Sequence, residues 1–214
     1  MFGFKMYKET PVTWILFWLN ILVMSFTFYF SKSLTPSPQV LSYMGALKFH
    51  DYSLHLLSYM FLHAGMLHVL MNMMALLMCG KKVEKLIGSS AFFVTYMMSG
   101  LVGGLFATTF SSSHGMTVGA SGAILGIIAC EFALHLKYKT YKSKAGKTNL
   151  KTLVFDIFLI MLISALPFVS GAAHFGGFLA GFVITYFTHV VSPQENLEQW
   201  SREFDMDKVG SNLK

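Results

Sequence analysis

Six long apolar runs divide this chain: residues 14–30, 64–79, 90–110, 119–136, 152–168 and 172–191. Crossing the hydrocarbon of a bilayer takes about 20 mostly apolar residues in a helix. The runs are continuous rather than short and amphipathic, which sets aside a soluble enzyme. Charged residues make up 12% of the 214, against roughly 25% in ordinary soluble domains. Hydrophobic residues make up 54%, and so much apolar surface sets aside disorder as well. The chain reads as an all-α, multi-pass membrane protein.

The connections carry the orientation. Lys5 and Lys8 precede the first run, whose seventeen residues exceed a signal-peptide core and are followed by no small-x-small cleavage site. It is read as a retained first helix. Residues 31–60 form a long mixed connection, expected to be partly buried or interfacial. Gly80–Ser89, with Lys81, Lys82 and Lys85, and Lys137–Lys151, with six lysines, alternate with the uncharged Ser111–Val118 and a short turn near Ser170. Basic residues collect on the cytoplasmic side, so six spans put both termini in the cytoplasm. The same rule accounts for the net charge of +6 without nucleic acid. Residues 1–191 are expected to form one compact six-helix membrane domain, and 192–214 a polar cytoplasmic tail. In that tail Ser192-Pro193-Gln194-Glu195 has the pattern of a capped helix start.

Within the runs, a few polar residues stand out. Ser121 lies in Gly119-Ala120-Ser121-Gly122, at the start of the fourth run. Small residues there commonly serve close helix packing, and Gly122-x-x-x-Gly126 has that spacing. His174 lies near the start of the sixth, with Gly177 and Gly181 on one face. A histidine inside a membrane helix is costly unless it is partnered or lines water. Two helices with small faces can bring Ser121 and His174 within hydrogen-bond reach, the geometry that activates a hydroxyl. His68 and Asn72, four apart and on one face of the second run, are candidate donors for an oxyanion, or form an ordinary interhelical hydrogen bond. All four residues fall within about two turns of the outer ends of their helices, each turn rising roughly 5.4 Å. Water from outside reaches that depth. Glu131, Asp156 and Glu84 belong deeper or at the cytoplasmic side, so a dyad is favoured over a triad. Asp51 is kept as an outside possibility for a third member.

With these motifs assembled, the chain resembles the rhomboid intramembrane serine proteases over about residues 12–191. The resemblance rests on Gly119-Ala120-Ser121-Gly122, on His63-x4-His68-x3-Asn72 and on Ala173-His174-x-x-Gly177-x-x-x-Gly181. Gly80-x-x-x-Glu84-x-x-x-Gly88 is similar to the family's turn between its second and third spans. It implies a six-helix bundle that cleaves peptide bonds in or near the transmembrane segments of membrane-anchored substrates, with no cofactor. Ser121 would be the nucleophile and His174 the general base and then acid. The Ser121 N–H, His68 and Asn72 would hold the oxyanion. Gly119 would shape the approach of the substrate strand, His63 would be a structural hydrogen-bonder, and Glu84 would tie the cytoplasmic turn. Two departures stand out: Leu54-His55 replaces a Trp-Arg pair, and Leu125 replaces an aromatic one turn after the nucleophile.

Other histidines call for other accounts. His114 belongs to an outer connection, and His135 and His189 to cytoplasmic helix ends. His50 and His55 beside His63 and His68 raise a metal site, but no His-Glu-x-x-His is present, and no metal is expected. Cys79 and Cys130 lie in apolar runs and suggest no disulfide. Glu131 is expected to pair with Lys137 or to face the interior. The expected partners are transmembrane substrates and the lipid bilayer, and the expected location a bacterial inner membrane. The alternatives are a catalytically silent relative that binds client helices and a small transporter. Against transport, the polar residues share one depth and form no file across the bilayer.

Overall fold

The computed structural model describes residues 9–110, 115–139, 142, 144–164 and 169–188. The tail 192–214, His114 and His189 lie outside the described residues.

Helix α1 (Pro11–Ser31) opens with proline in its first turn and stops at Lys32, whose φ is +50°. The connection that follows is structured. Ser37 caps α2 (Pro38–Tyr43) by accepting from the Val40 N–H. Strand β1 (Leu47–Lys48) pairs antiparallel with β2 (Met116–Thr117), Leu47 opposite Thr117. Helix α3 (His55–Ser58) runs into a 3-10 turn, Tyr59–Phe61. Leu41, Ala46 and Leu62 form a small apolar core of their own. The segment is also fastened to the end of a later helix: the Asp51 N–H donates to Thr108 Oγ1, and that hydroxyl donates to the Lys48 carbonyl.

Helix α4 (Met66–Ala75) continues through a π turn, Leu76–Gly80, into α5 (Lys81–Ile87). The expected connection at Gly80–Ser89 is therefore helical almost to its end. The chain turns only at Gly88, whose φ of +81° suits glycine. Helix α6 is Ser89–Phe110, α7 Ser121–Lys137, α8 Lys144–Ile163 and α9 Gly171–Phe187. Helix α7 sits at the centre, buried from Gly122 to Cys130 without interruption.

Side-chain contacts fix the direction of each helix. Glu84 near the end of α5 touches the start of both α1 and α6, at Thr13 and Ser89. His174 and Ser121 bring the starts of α9 and α7 together, and Lys137 at the end of α7 donates to the Thr185 and Thr188 carbonyls at the end of α9. The rods thus alternate, with one end gathering the polar residues of interest and the other gathering Glu84 and the lysines.

Among the described residues, three helices are long and apolar enough to cross a membrane: Pro11–Ser31, Met66–Ile87 and Ser89–Phe110. Helix α9 is apolar but has 17 residues. Helix α7 likewise has 17 residues, and α8 carries Lys147, Lys151 and Asp156, so neither meets that standard. The outer faces are nonetheless greasy: Trp18, Phe26, Met71, Met78 and Phe158 are exposed. Asn20, Thr95, Ser99 and Glu131 are turned inward. Helices apolar on the outside and polar within belong in lipid.

Glu131 faces the bundle interior, one of its two expected placements, and the other, an ion pair with Lys137, is corrected. Its carboxylate meets Lys82 Nζ at 2.5 Å, not Lys137. Six residues further along, Lys137 points about 120° away around the helix, whereas Lys82 reaches across from α5. His135 lies in the last turn of α7, at a helix end as expected, and is fully buried, with Nε2 3.7 Å from the same carboxylate.

Candidate active site

Four glycines determine how α7 and α9 meet. A β-carbon on Gly177 would lie 2.1 Å from the Gly122 carbonyl oxygen, and one on Gly181 would lie 2.0 Å from the Gly126 carbonyl oxygen. Real side chains never pack so close, so the two backbones touch at both levels. On the third side of Gly126 stands Ser99 of α6, 2.0 Å from where a β-carbon would be. This crossing holds the first turns of the two helices side by side.

Ser121 begins α7 and His174 lies in the first turn of α9, whose start is capped by Ser170 accepting from the Ala173 N–H. Ser121 Oγ stands 2.6 Å from His174 Nε2. The imidazole is 6% exposed. Its other nitrogen, Nδ1, stands 2.5 Å from the hydroxyl of Ser164, just past the end of α8. That hydroxyl also stands 2.7 Å from the Ile160 carbonyl. With its proton on that carbonyl it would accept Nδ1–H, the tautomer that leaves Nε2 as the acceptor for the Ser121 hydroxyl. Ser164 escaped the sequence reading because nothing around it in Leu162-Ile163-Ser164-Ala165 marks it. The one available signal is an isolated serine closing an apolar run ten residues before His174.

His68 and Asn72 face the turn that leads into α7. Gly119 there has a φ of +121°, and a β-carbon on it would lie 2.8 Å from His68 Nε2 and 3.6 Å from Asn72 Nδ2. Both the conformation and the space require glycine. The Gly119 N–H donates to the Tyr59 carbonyl, and the Tyr59 hydroxyl is anchored on the Gly100 carbonyl. His68 Nδ1 accepts from the Ala64 N–H at 3.4 Å, which leaves Nε2–H as a donor toward Gly119. Asn72 is 6% exposed, and its Nδ2 has no partner among the described residues. The first N–H groups of α7 point the same way, as the unpaired donors of any helix start do. Ser121, His174, His68, Asn72 and Gly119 thus meet at one end of the bundle.

The remaining candidates lie elsewhere or act otherwise. His63 is fully buried, and its ring packs edge-on to His68, with centroids 5.0 Å apart. Glu84, buried at the far end, accepts from the Val12 and Thr13 N–H groups and from the Thr13 and Ser89 hydroxyls. It caps α1 and ties it to α6. Asp51, kept open as an acid for His174, is occupied by Ser53 and by His55 Nδ1 at 2.6 Å. Burial opposes its ionisation, but the hydrogen bonds from Ser53 and His55 outweigh this and bring the carboxyl down to about 2. Leu125 is buried in the core, whereas Leu54 is exposed. Cys79 and Cys130 are free thiols. Among the described residues no three His, Cys, Asp or Glu converge on a metal position.

Comparison with known proteins places the chain. The model of the Rhomboid domain matches residues 50–190. The chain is 37% identical over 169 residues to RHOMBOID-like protein 2 of Arabidopsis thaliana, covering 76% of this chain and 52% of that one. It is 29% identical over 125 residues to Rhomboid-type serine protease 2 of Emericella nidulans, covering 58% and 25%. It is 30% identical over 154 residues to Inactive RHOMBOID-like protein 8 of Arabidopsis thaliana, covering 69% and 43%. A helical membrane protein with this arrangement belongs to the rhomboid family. The chain spans about half the length of the curated relatives it matches. Those relatives, from a plant and a fungus, lend no support to the bacterial inner membrane expected from the sequence.

Proposed function

We propose that this chain is an intramembrane serine endopeptidase acting on membrane-anchored proteins in or near their transmembrane segments. The observation that carries the reading is the 2.6 Å contact between Ser121 Oγ and His174 Nε2. In the reaction, Ser121 Oγ attacks the scissile carbonyl carbon as its proton passes to Nε2. The carbonyl π electrons move onto oxygen, and that oxyanion is held by the Ser121 N–H with His68 and Asn72. On collapse the C–N bond breaks and His174 returns the proton to the leaving amine. Water, activated by the same imidazole, then releases the acyl group from Ser121. None of these steps calls for a cofactor.

The same reading sets the protein in the bilayer. Six spans with both termini in the cytoplasm put the Ser121 end outside and the lysine-rich end inside. The alternation of the helices, the greasy outer faces and Lys81, Lys82 and Lys85 at the far end support it. Residues 1–191 then act as the membrane unit, with lipid and substrate helices as partners.

One matched relative is named inactive, so a silent client-binding protein is the competing reading. The presence and contact of both Ser121 and His174 favour catalysis. The test is cleavage of transmembrane reporter substrates by the protein in proteoliposomes. Products that vanish with Ser121→Ala support the protease, and client binding without cleavage by the folded wild type supports the silent relative.

A further inference from the structure

The hydroxyl of Ser164 bridges two groups. It stands 2.7 Å from the Ile160 carbonyl, one turn earlier in α8, and 2.5 Å from His174 Nδ1. A carbonyl only accepts, so with the hydroxyl proton on Ile160 the lone pair facing His174 receives Nδ1–H. Ser164 is 8% exposed, so water does not compete freely for that position. Asp51, the one acidic residue of the outer connection, is occupied by Ser53 and His55. Among the described groups, the hydroxyl of Ser164 is the one within hydrogen-bond distance of Nδ1.

We propose that Ser164 is a positioning residue of this site, the third member of a relay Ser121–His174–Ser164, which holds His174 in the Nδ1–H tautomer and fixes the plane of its ring. The proposal rests on the protease reading above. Ser164 neither gives nor takes a proton during turnover. When Nε2 takes the Ser121 proton, the imidazolium keeps Nδ1–H on Ser164 Oγ, and when Nε2 returns that proton to the leaving amine the original tautomer is restored. A neutral hydroxyl accepts this hydrogen bond as a carboxylate does elsewhere, but adds no full charge in a medium where one is costly. Leu125, packed in the core one turn after Ser121, is no aromatic platform for the ring, so the ring's orientation falls to its two hydrogen bonds.

The tautomer can be read without any assay. In protein carrying 15N-labelled histidine, with the His174 signals identified by their loss in His174→Ala, nitrogen shifts of the neutral ring should report Nδ1–H in the wild type. An Nε2–H ring there overturns the proposal. Ser164→Ala should yield a mixture of tautomers and lower kcat by about tenfold or more with KM little changed, the range in which residues that orient a catalytic or metal-bound imidazole act. Ser164→Thr, which keeps the hydroxyl, should restore the single tautomer and most of kcat. A folded Ser164→Ala protein with the wild-type tautomer and rate overturns the assignment, as does a folded Ser164→Thr protein as impaired as Ser164→Ala. Failure of the protease reading looks different: the wild type then cleaves nothing while the Nδ1–H tautomer is still present.

Discussion

Gly177 crosses Gly122 so closely that a β-carbon on the one would lie 2.1 Å from the carbonyl oxygen of the other. The contact lies three residues from His174 and one from Ser121, so the closeness of two backbones determines the distance between two side chains. Gly177→Val should force α7 and α9 apart. Overpacking of this kind costs about 1–3 kcal/mol, and it should appear as a lower melting temperature in detergent together with loss of cleavage. An unchanged melting temperature would mean that the crossing is not the device that assembles the site.

Asn72 is nearly buried, and its amide donor has no partner among the described residues. A donor of this kind strengthens its interaction as charge develops on a substrate oxygen, so its loss falls on kcat rather than on binding. Asn72→Ala should lower kcat roughly 10²-fold with a smaller change in KM. A raised KM with kcat unchanged would assign Asn72 to substrate binding instead.

Glu84 takes four hydrogen bonds at the end of the bundle remote from Ser121. Glu84→Gln turns one acceptor edge into a donor facing donors, which leaves buried groups unpaired at a cost of about 1–3 kcal/mol. Thermal unfolding should move down accordingly, while the fraction that stays folded should keep its turnover number. Loss of turnover in fully folded protein would tie Glu84 to the chemistry.

Asp51 should make the outer connection sensitive to acid. Its carboxyl is held at about 2, below its usual 3.8, so the folded state binds the proton less readily than the unfolded one. Its stabilising contribution is complete above the unfolded value and is lost as pH falls from there through about 2. The difference in melting temperature between wild type and Asp51→Asn should therefore be full at pH 6 and shrink through that window. A difference independent of pH would place the contribution of Asp51 in packing rather than charge.

Much of this was legible because membrane helices obey short-range rules. Runs of apolar residues mark the rods, and the paired glycines Gly122/Gly126 and Gly177/Gly181 announce a close crossing wherever they occur four apart. Ser121 and His174 were readable as neighbours because each stands beside one of those pairs. Two local signals misled. Lysines at 81, 82 and 85 read as a loop, yet the helix continues: Lys82 reaches Glu131, Lys85 reaches Glu9 and Lys81 lies over the Trp14 ring. Glu131 does face the interior, one of the two placements its sequence allows, but its cation comes from another helix and not from Lys137 on its own. Ser164 was illegible for the same reason, because its partner is defined only once α8 and α9 are packed.

The central claim is that Ser121 is an activated hydroxyl and that His174 activates it. The most direct measurement treats the purified, folded protein with a fluorophosphonate and maps the adduct by peptide mass spectrometry, with His174→Ala alongside. The account predicts an adduct on Ser121 in the wild type and its loss in His174→Ala. A folded wild type that takes no adduct at Ser121, or equal labelling of the two proteins, would contradict it.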